Sequence, residues 1–316
     1  MKRFKYLLPC VALAFFSCSQ EDGTPQTDNA SIAMAVKTEI SGSSRNMITD
    51  VRSPYGAQLG ITLVDNKENV FTYDGLTDGY FNVRYDAKGN YPDQVWTAYD
   101  EPIYLSATDG RAVAYYPYSE EDGADFRTLP VKAAGQTDYM YSKWVKPINS
   151  LDSEALFKMQ HAMAGIRVSI ISGSYTGQAT VSEIRLSSTA LGVTGTLDAS
   201  TGTISGAAAG EINTYMMRPA FASFDVSEDD YTSTLLMGVP VAGVKDDLTI
   251  SIKVDGHLYQ VKGLMTQPFQ SGTLYTFKLT LDNTALSVDE KVTITPWVED
   301  DTASTDNGGV LSPVNS

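Results

Sequence analysis

Residues 31–40 read SIAMAVKTEI, and the spacing within this short stretch sets the fold class. Ile32, Met34, Val36 and Ile40 alternate with smaller or charged residues, which places one apolar face on an extended strand. The same period of two recurs downstream, in GITLVD (60–65), YFNVRY (80–85), AVAYYPY (112–118), AGIRVSII (164–171), DLTISIKVD (247–255), TLYTFKLTL (273–281) and VTITPW (292–297). Thr, Val, Ile and Tyr fill these runs, and Gly, Asp, Asn or Ser separates most of them, the pattern of sandwich-type β structure. GVTGTLDASTGTISG (192–206) holds two β-prone runs around a polar turn and predicts a hairpin. One stretch, SLDSEALFKMQHAMAG (150–165), is the best candidate for a short helical turn, with Ser150 or Ser153 as its cap. No internal repeat is visible.

Working outward from the first strand, SQEDGTPQTDNA (19–30) is polar and too poor in large apolar groups to fold, so it reads as a tether. Before it stands MKRFKYLLPCVALAFFSC (1–18). Lys2, Arg3 and Lys5 precede an apolar run from Leu7 to Phe16, too short to cross a hydrocarbon core of about 30 Å as a helix. Residues 1–17 therefore read as a secretory signal peptide. Ala14 to Cys18 resembles the lipobox of bacterial lipoproteins, which implies a diacylglycerol on the Cys18 thiol, cleavage just before it, and an acyl chain such as palmitate on the new amine. Glu21-Asp22 resembles the signal that sends such lipoproteins to the outer face of the outer membrane.

Of the two cysteines, Cys10 leaves with the signal, so the mature chain forms no internal disulfide and offers no thiolate metal site. Stability must come from burial, for which 316 residues suffice, with room for two domains. The boundary falls near the polar stretch KPINSLDSEA, giving 31–158 and 159–316 as the expected units. The chain has a net charge of −15, and loss of the three signal-peptide cations leaves −18. Nucleic-acid binding, which needs clustered Lys and Arg, is excluded on this ground.

No catalytic, cofactor-binding or metal motif is present. His161 and His257 lie far apart, each beside or within a strand-like run, and read as packed or surface residues. H-E-x-x-H, C-x-x-C, G-x-S-x-G and P-loop patterns are missing. The acidic runs at 119–125, 227–230 and 298–301 lack the ligand spacing of a Ca²⁺ loop and read as solvated loops. An exported hydrolase would need paired carboxylates in a cleft, and nothing supports one. Many of the 18 tyrosines lie in the first half, where they are expected to serve core and inter-domain packing.

Several blocks, taken in order, resemble the fimbrillin family, subunits of the donor-strand pili of Bacteroidales: VKTEISGSSRN (36–46), NVRYDAKGNYPDQVW (82–96), PIYLSATDGRAVAYYPYS (102–119), QTDYMYS (136–142), LFKMQHAMAGIRVSI (156–170), SGTLYTFKLTL (271–281) and VTITPW (292–297). The resemblance implies an all-β chain of two transthyretin-like antiparallel β-sandwich domains, delivered to the surface by its lipid and acting without catalysis or cofactor. It also implies partner subunits: an Arg-specific protease removes the first strand, and a neighbour's strand fills the groove. Arg45, the preferred cut site, and Arg52 follow the first strand in a loop a protease could enter. Cys18 is the membrane attachment. VTITPWVED could supply a donor strand, whereas the polar tail beyond Trp297 points to a tip or accessory subunit. Asp301-Thr302-Ala303 resembles an O-glycosylation triplet. A different class of function, a monomeric lipid-anchored protein binding glycan or a host protein through exposed aromatics, fits the same composition.

Overall fold

In the computed structural model the described residues are 32–40, 57–76, 79–88, 95–121, 124–214, 223–241, 248–264, 267–289 and 291–297. Cys18, Arg45, Arg52, the signal, the tether and the tail lie outside them. The chain is all-β, with no α-helix among the described residues. The strands are β1 (Ile32–Ala33), β2 (Ala35–Ile40), β3 (Gln58–Asp65), β4 (Tyr80–Lys88), β5 (Val95–Ala98), β6 (Tyr104–Leu105), β7 (Gly110–Tyr116), β8 (Leu129–Lys132), β9 (Met140–Tyr141), β10 (Val145–Ile148) and β11 (Glu154–His161). They continue with β12 (Ala164–Ser172), β13 (Thr180–Asp198), β14 (Thr203–Asn213), β15 (Phe224–Asp225), β16 (Thr232–Pro240), β17 (Thr249–Val254), β18 (His257–Lys262), β19 (Thr273–Leu281), β20 (Leu286–Val288) and β21 (Thr293–Pro296).

Two large sheets result. The first runs β2-β11-β9-β7-β3-β4-β5, with β10 on β7; the second runs β18-β17-β13-β16-β12-β19-β20. β8, β14 and β15 pair with β13, and β21 with β19. Each sheet curls until its edges meet, β2 against β5 and β18 against β20, so both are sandwich-like with barrel-like closure. The first encloses Leu59, Ile61, Leu63, Tyr85, Leu105, Phe157 and Met159. The second encloses Ile166, Val168, Ile184, Ile250, Phe277 and Leu279. At about 1.5–3 kcal/mol for each large apolar side chain removed from water, these clusters carry the fold.

The hairpin expected at 192–206 is present, with Leu197 opposite Ile204 and Asp198 opposite Thr203. The candidate helical turn within 150–165 is not: Asn149 to Asp152 form a turn and Glu154–His161 is a strand. Its Ala155, Phe157 and Met159 are fully buried while Glu154, Leu156 and Lys158 are exposed, a period of two that the off-phase Leu156 conceals in the sequence. β11 passes without a break through residues 158 and 159, and β8 joins the second sheet although the strands on either side of it belong to the first. Most ladders are antiparallel. The two parallel ones among the described strands are β2 with β11 and β12 with β19.

Candidate functional site

The first strand and the edge that receives it form the site. Alternation sends Met34, Val36 and Thr38 inward, all buried, and leaves Ala35 and Lys37 facing solvent. The strand changes partner at Met34. Before it, β1 lies antiparallel on β6, with Ile32 opposite Leu105. After it, β2 lies parallel on β11, from Ala35 opposite Glu154 to Ile40 opposite Met159. At the switch the Met34 N–H donates to the Ile103 carbonyl at 2.8 Å and the Ala35 N–H to the Ser153 carbonyl at 2.9 Å. This jump leaves Ile32, which the alternation places on the apolar face, 41% exposed.

Side chains tie the strand down on both flanks. Lys37 Nζ lies 2.6 Å from Glu154 Oε2, and Lys158 Nζ 3.2 Å from Glu39 Oε1. Both pairs are solvent-exposed and contribute little, about 0–1 kcal/mol each. Across the closure, the Trp96 indole N–H donates to Thr38 Oγ1 at 2.9 Å, joining β2 to β5 at the far edge of the same sheet. The Tyr85 hydroxyl oxygen accepts from the Ile103 N–H at 3.0 Å, on the residue whose carbonyl receives Met34. Burial pushes the Tyr85 phenol up, so it stays protonated at neutral pH.

β2 is the one ladder partner of Glu154–Met159 among the described strands, since β9 takes only Gln160 and His161. Removing β2 strips the β11 edge of its partner and opens the cluster around Phe157 and Met159 to water. An unpaired strand edge beside an apolar cleft is relieved by another strand of matching register. Arg45 and Arg52 lie in the segment joining β2 to β3, and their own positions are not among the described residues.

The other end of the chain has a different character. β21 lies antiparallel on β19, and all four of its residues are exposed. Trp297 then turns inward. Its N–H donates to the Gly272 carbonyl at 2.8 Å, and its ring stacks on His161 with centroids 4.1 Å apart and planes 8° from parallel. His161 Nδ1 is 2.8 Å from Asp138 Oδ2 and the ring is buried, so this histidine is a packing residue. His257 is exposed at the start of β18. Among the described residues no group of three or more His, Cys, Asp or Glu is placed to hold a metal ion.

The tyrosines divide. Tyr73, Tyr85, Tyr115, Tyr141 and Tyr275 are buried, whereas Tyr99 and Tyr104 face solvent. Sequence reasoning missed the Trp96–Thr38 bond and the parallel pairing of β2 with β11. Both join residues remote in the chain, and alternation along one strand carries no information about its partner.

The model of a family described as fimbrillin-like matches residues 49–297. No curated protein matches the chain. Among solved structures, a "putative cell adhesion protein" of Bacteroides uniformis superposes with a TM-score of 0.61 at 18% identity, covering 86% of this chain and 100% of that one. A protein of Bacteroides ovatus with the same description gives a TM-score of 0.61 at 19% identity, again over 86% and 100%. At such identities the likeness concerns the fold.

Proposed function

Because the chain belongs to the fimbrillin-like family, we propose that it is a fimbrial subunit of the outer-membrane surface, exported as a lipoprotein on Cys18 and assembled by donor-strand exchange. Cleavage after Arg45 or Arg52 releases β1 and β2, and a strand of a neighbouring subunit takes the vacated edge of β11. The units in this reading are the signal 1–17, the tether 18–30 and two sandwich domains, with β8 (129–132) and the end of β11 lying across the boundary expected at 158/159. The role is structural and adhesive, and no reaction is assigned to it.

One observation supports this reading most. Among the described residues, the first strand closes the first core with two buried apolar side chains, Met34 and Val36, and two backbone ladders, a short one to β6 and a longer one to β11. A segment holding both candidate arginines follows it. The strand is thus both integral to the core and severable at one peptide bond.

A second reading, a monomeric lipid-anchored protein that binds glycan or a host protein, draws on a shallow cleft of about 340 Å³ lined by Phe81, Asn82, Tyr118, Glu120, Glu121 and Asp125. Phe81 is also exposed, and aromatic rims of this kind stack on sugars and on protein partners.

Intact mass and N-terminal sequencing of the protein released from the native cell surface separate the two. The strand-exchange subunit begins at Asn46 or Ser53. A surface population that begins wholly at diacylated Cys18 contradicts strand removal and points to an anchor subunit or to the second reading.

A further inference from the structure

We propose that the loop cluster at the free end of the first sheet is the surface on which the body of a second copy of this chain docks, a proposal that rests on the strand-exchange reading. A strand lying in the β2 groove must leave it at one of two ends to rejoin its own body. At the Ile40 and Met159 end, β11 runs straight on to His161 and the chain's own second sheet. Ser271, Gly272, Pro296 and Trp297 gather there beside Met159 and Gln160, and the Gly272 N–H donates to the Met163 carbonyl at 2.9 Å. That end is taken. The opposite end, at Ile32, Leu105 and Ser153, meets three loops, β3–β4, β6–β7 and β10–β11.

These loops are bonded to one another. The buried Tyr73 is the pin: its hydroxyl oxygen accepts from the Ser106 N–H at 3.1 Å, and its O–H donates to the Thr108 carbonyl at 3.1 Å. Its ring packs against bare backbone at Gly110, where an added Cβ would stand 3.0 Å from the ring and 2.8 Å from Leu63. Thr108 Oγ1 donates to Asp74 Oδ1 at 3.0 Å, and Asn149 Nδ2 to Asp109 Oδ1 at 2.6 Å. The Ser150 N–H reaches the Ser106 carbonyl at 2.7 Å, and Asn149 Oδ1 caps the Leu151 and Asp152 N–H groups.

On this fixed frame stand apolar side chains. Leu151, at a turn tip where polar residues are the rule, is 94% exposed, and Leu76 is 44% exposed. Ile32 and Tyr104, at the mouth of the groove, are exposed as well. Single surface leucines need no explanation, but several gathered at one end on hydrogen-bonded loops form a preorganised contact that loses little entropy on docking. Charge favours an apolar joint too. Loss of residues 1–45 removes five cations and four acids, so two docking copies, each carrying −16, repel one another, and a contact carried by burial should strengthen as salt is added.

The test uses the full chain as wild type and as the L76D/L151D double variant, each cut with an Arg-specific protease and followed by detergent-resistant ladders on gels. A fluorescent peptide of residues 31–45 reports separately on the groove. The expected result is equal peptide uptake and equal thermal midpoint, with ladder formation at least tenfold slower in the double variant and intermediate slowing in L151A. Ladders formed by the double variant at the wild-type rate overturn the proposal while leaving strand exchange standing. A wild type that neither forms ladders nor takes up peptide removes the strand-exchange reading, and the docking surface with it.

Discussion

Among the described strands two pairs run parallel, β2 on β11 and β12 on β19, and they are held in different ways. β12 is hydrogen-bonded on both sides, to β16 and β19, and is almost wholly buried. Its partner β19 is itself held by β20 and β21. β11 alternates buried and exposed residues, and among the described strands its one ladder between Glu154 and Met159 is to β2. β2 ends at Ile40, and the segment that follows carries both arginines proposed as cut sites. Parallel pairing alone therefore does not set how firmly a strand is held. Under the strand-exchange proposal, the number of flanking ladders and the amount of side chain locked behind them would set it.

The largest expected effect lies in the pair that is laddered on both sides. Phe277 is 1% exposed in the second core, and Phe277→Ala should cost about 3–5 kcal/mol in urea unfolding, lowering the stability of the whole chain. Met34→Ala, in the strand proposed to be exchanged, should cost about 2 kcal/mol, the low end for such truncations, and should also quicken exchange with a labelled 31–45 peptide. If Met34→Ala destabilised the chain as much as Phe277→Ala, the distinction between the pairs would fail.

Trp96→Phe removes the hydrogen bond to Thr38 and keeps most of the ring. A loss of about 1 kcal/mol is expected, again with faster peptide exchange. Lys37→Ala should change stability by less than about 0.5 kcal/mol, because its pair with Glu154 is exposed, and the effect should shrink further with salt.

Acid sharpens the comparison from the other side. Asp282, just beyond β19, accepts from the Ser174 N–H and hydroxyl just beyond β12, clasping the ends of these two strands. The backbone bond from Ser174 is the main cause that holds the Asp282 carboxyl below its usual 3.8. A depressed folded value means that the clasp is at full strength above about pH 4 and is lost as the pH falls through the lowered folded value. Amide protection at 173–176 should therefore hold from pH 8 to pH 5 and decline below 3.8.

Much of this architecture was legible because alternation is a local property. The strands at 164–171, 247–255 and 273–281 and the hairpin at 192–206 follow from side-chain period and turn residues alone. The 150–165 stretch misled because Ala155, Leu156, Phe157, Lys158 and Met159 include good helix formers behind a possible cap, and tertiary pairing overrode that propensity. The entry of β8 into the second sheet and the jump of the first strand from β6 to β11 depend on contacts between distant segments, which composition does not encode. At the site itself, the apolar face of Met34 and Val36 was readable, whereas Ile32 faces solvent because the partner switch at Met34 interrupts the pleat. The inward turn of Trp297 onto His161 had no sequence signal beyond the presence of the two rings.

Hydrogen–deuterium exchange, read by mass spectrometry on the intact chain and on the chain cut by an Arg-specific protease and purified as monomer, tests the central claim most directly. Amides of Glu154–Met159 should lose protection once the first strand is gone, those of Gly165–Ile170 should keep theirs, and assembly should restore the first set. Unchanged protection of Glu154–Met159 after loss of residues 31–45 would contradict it, because β11 would then have no need of a replacement strand.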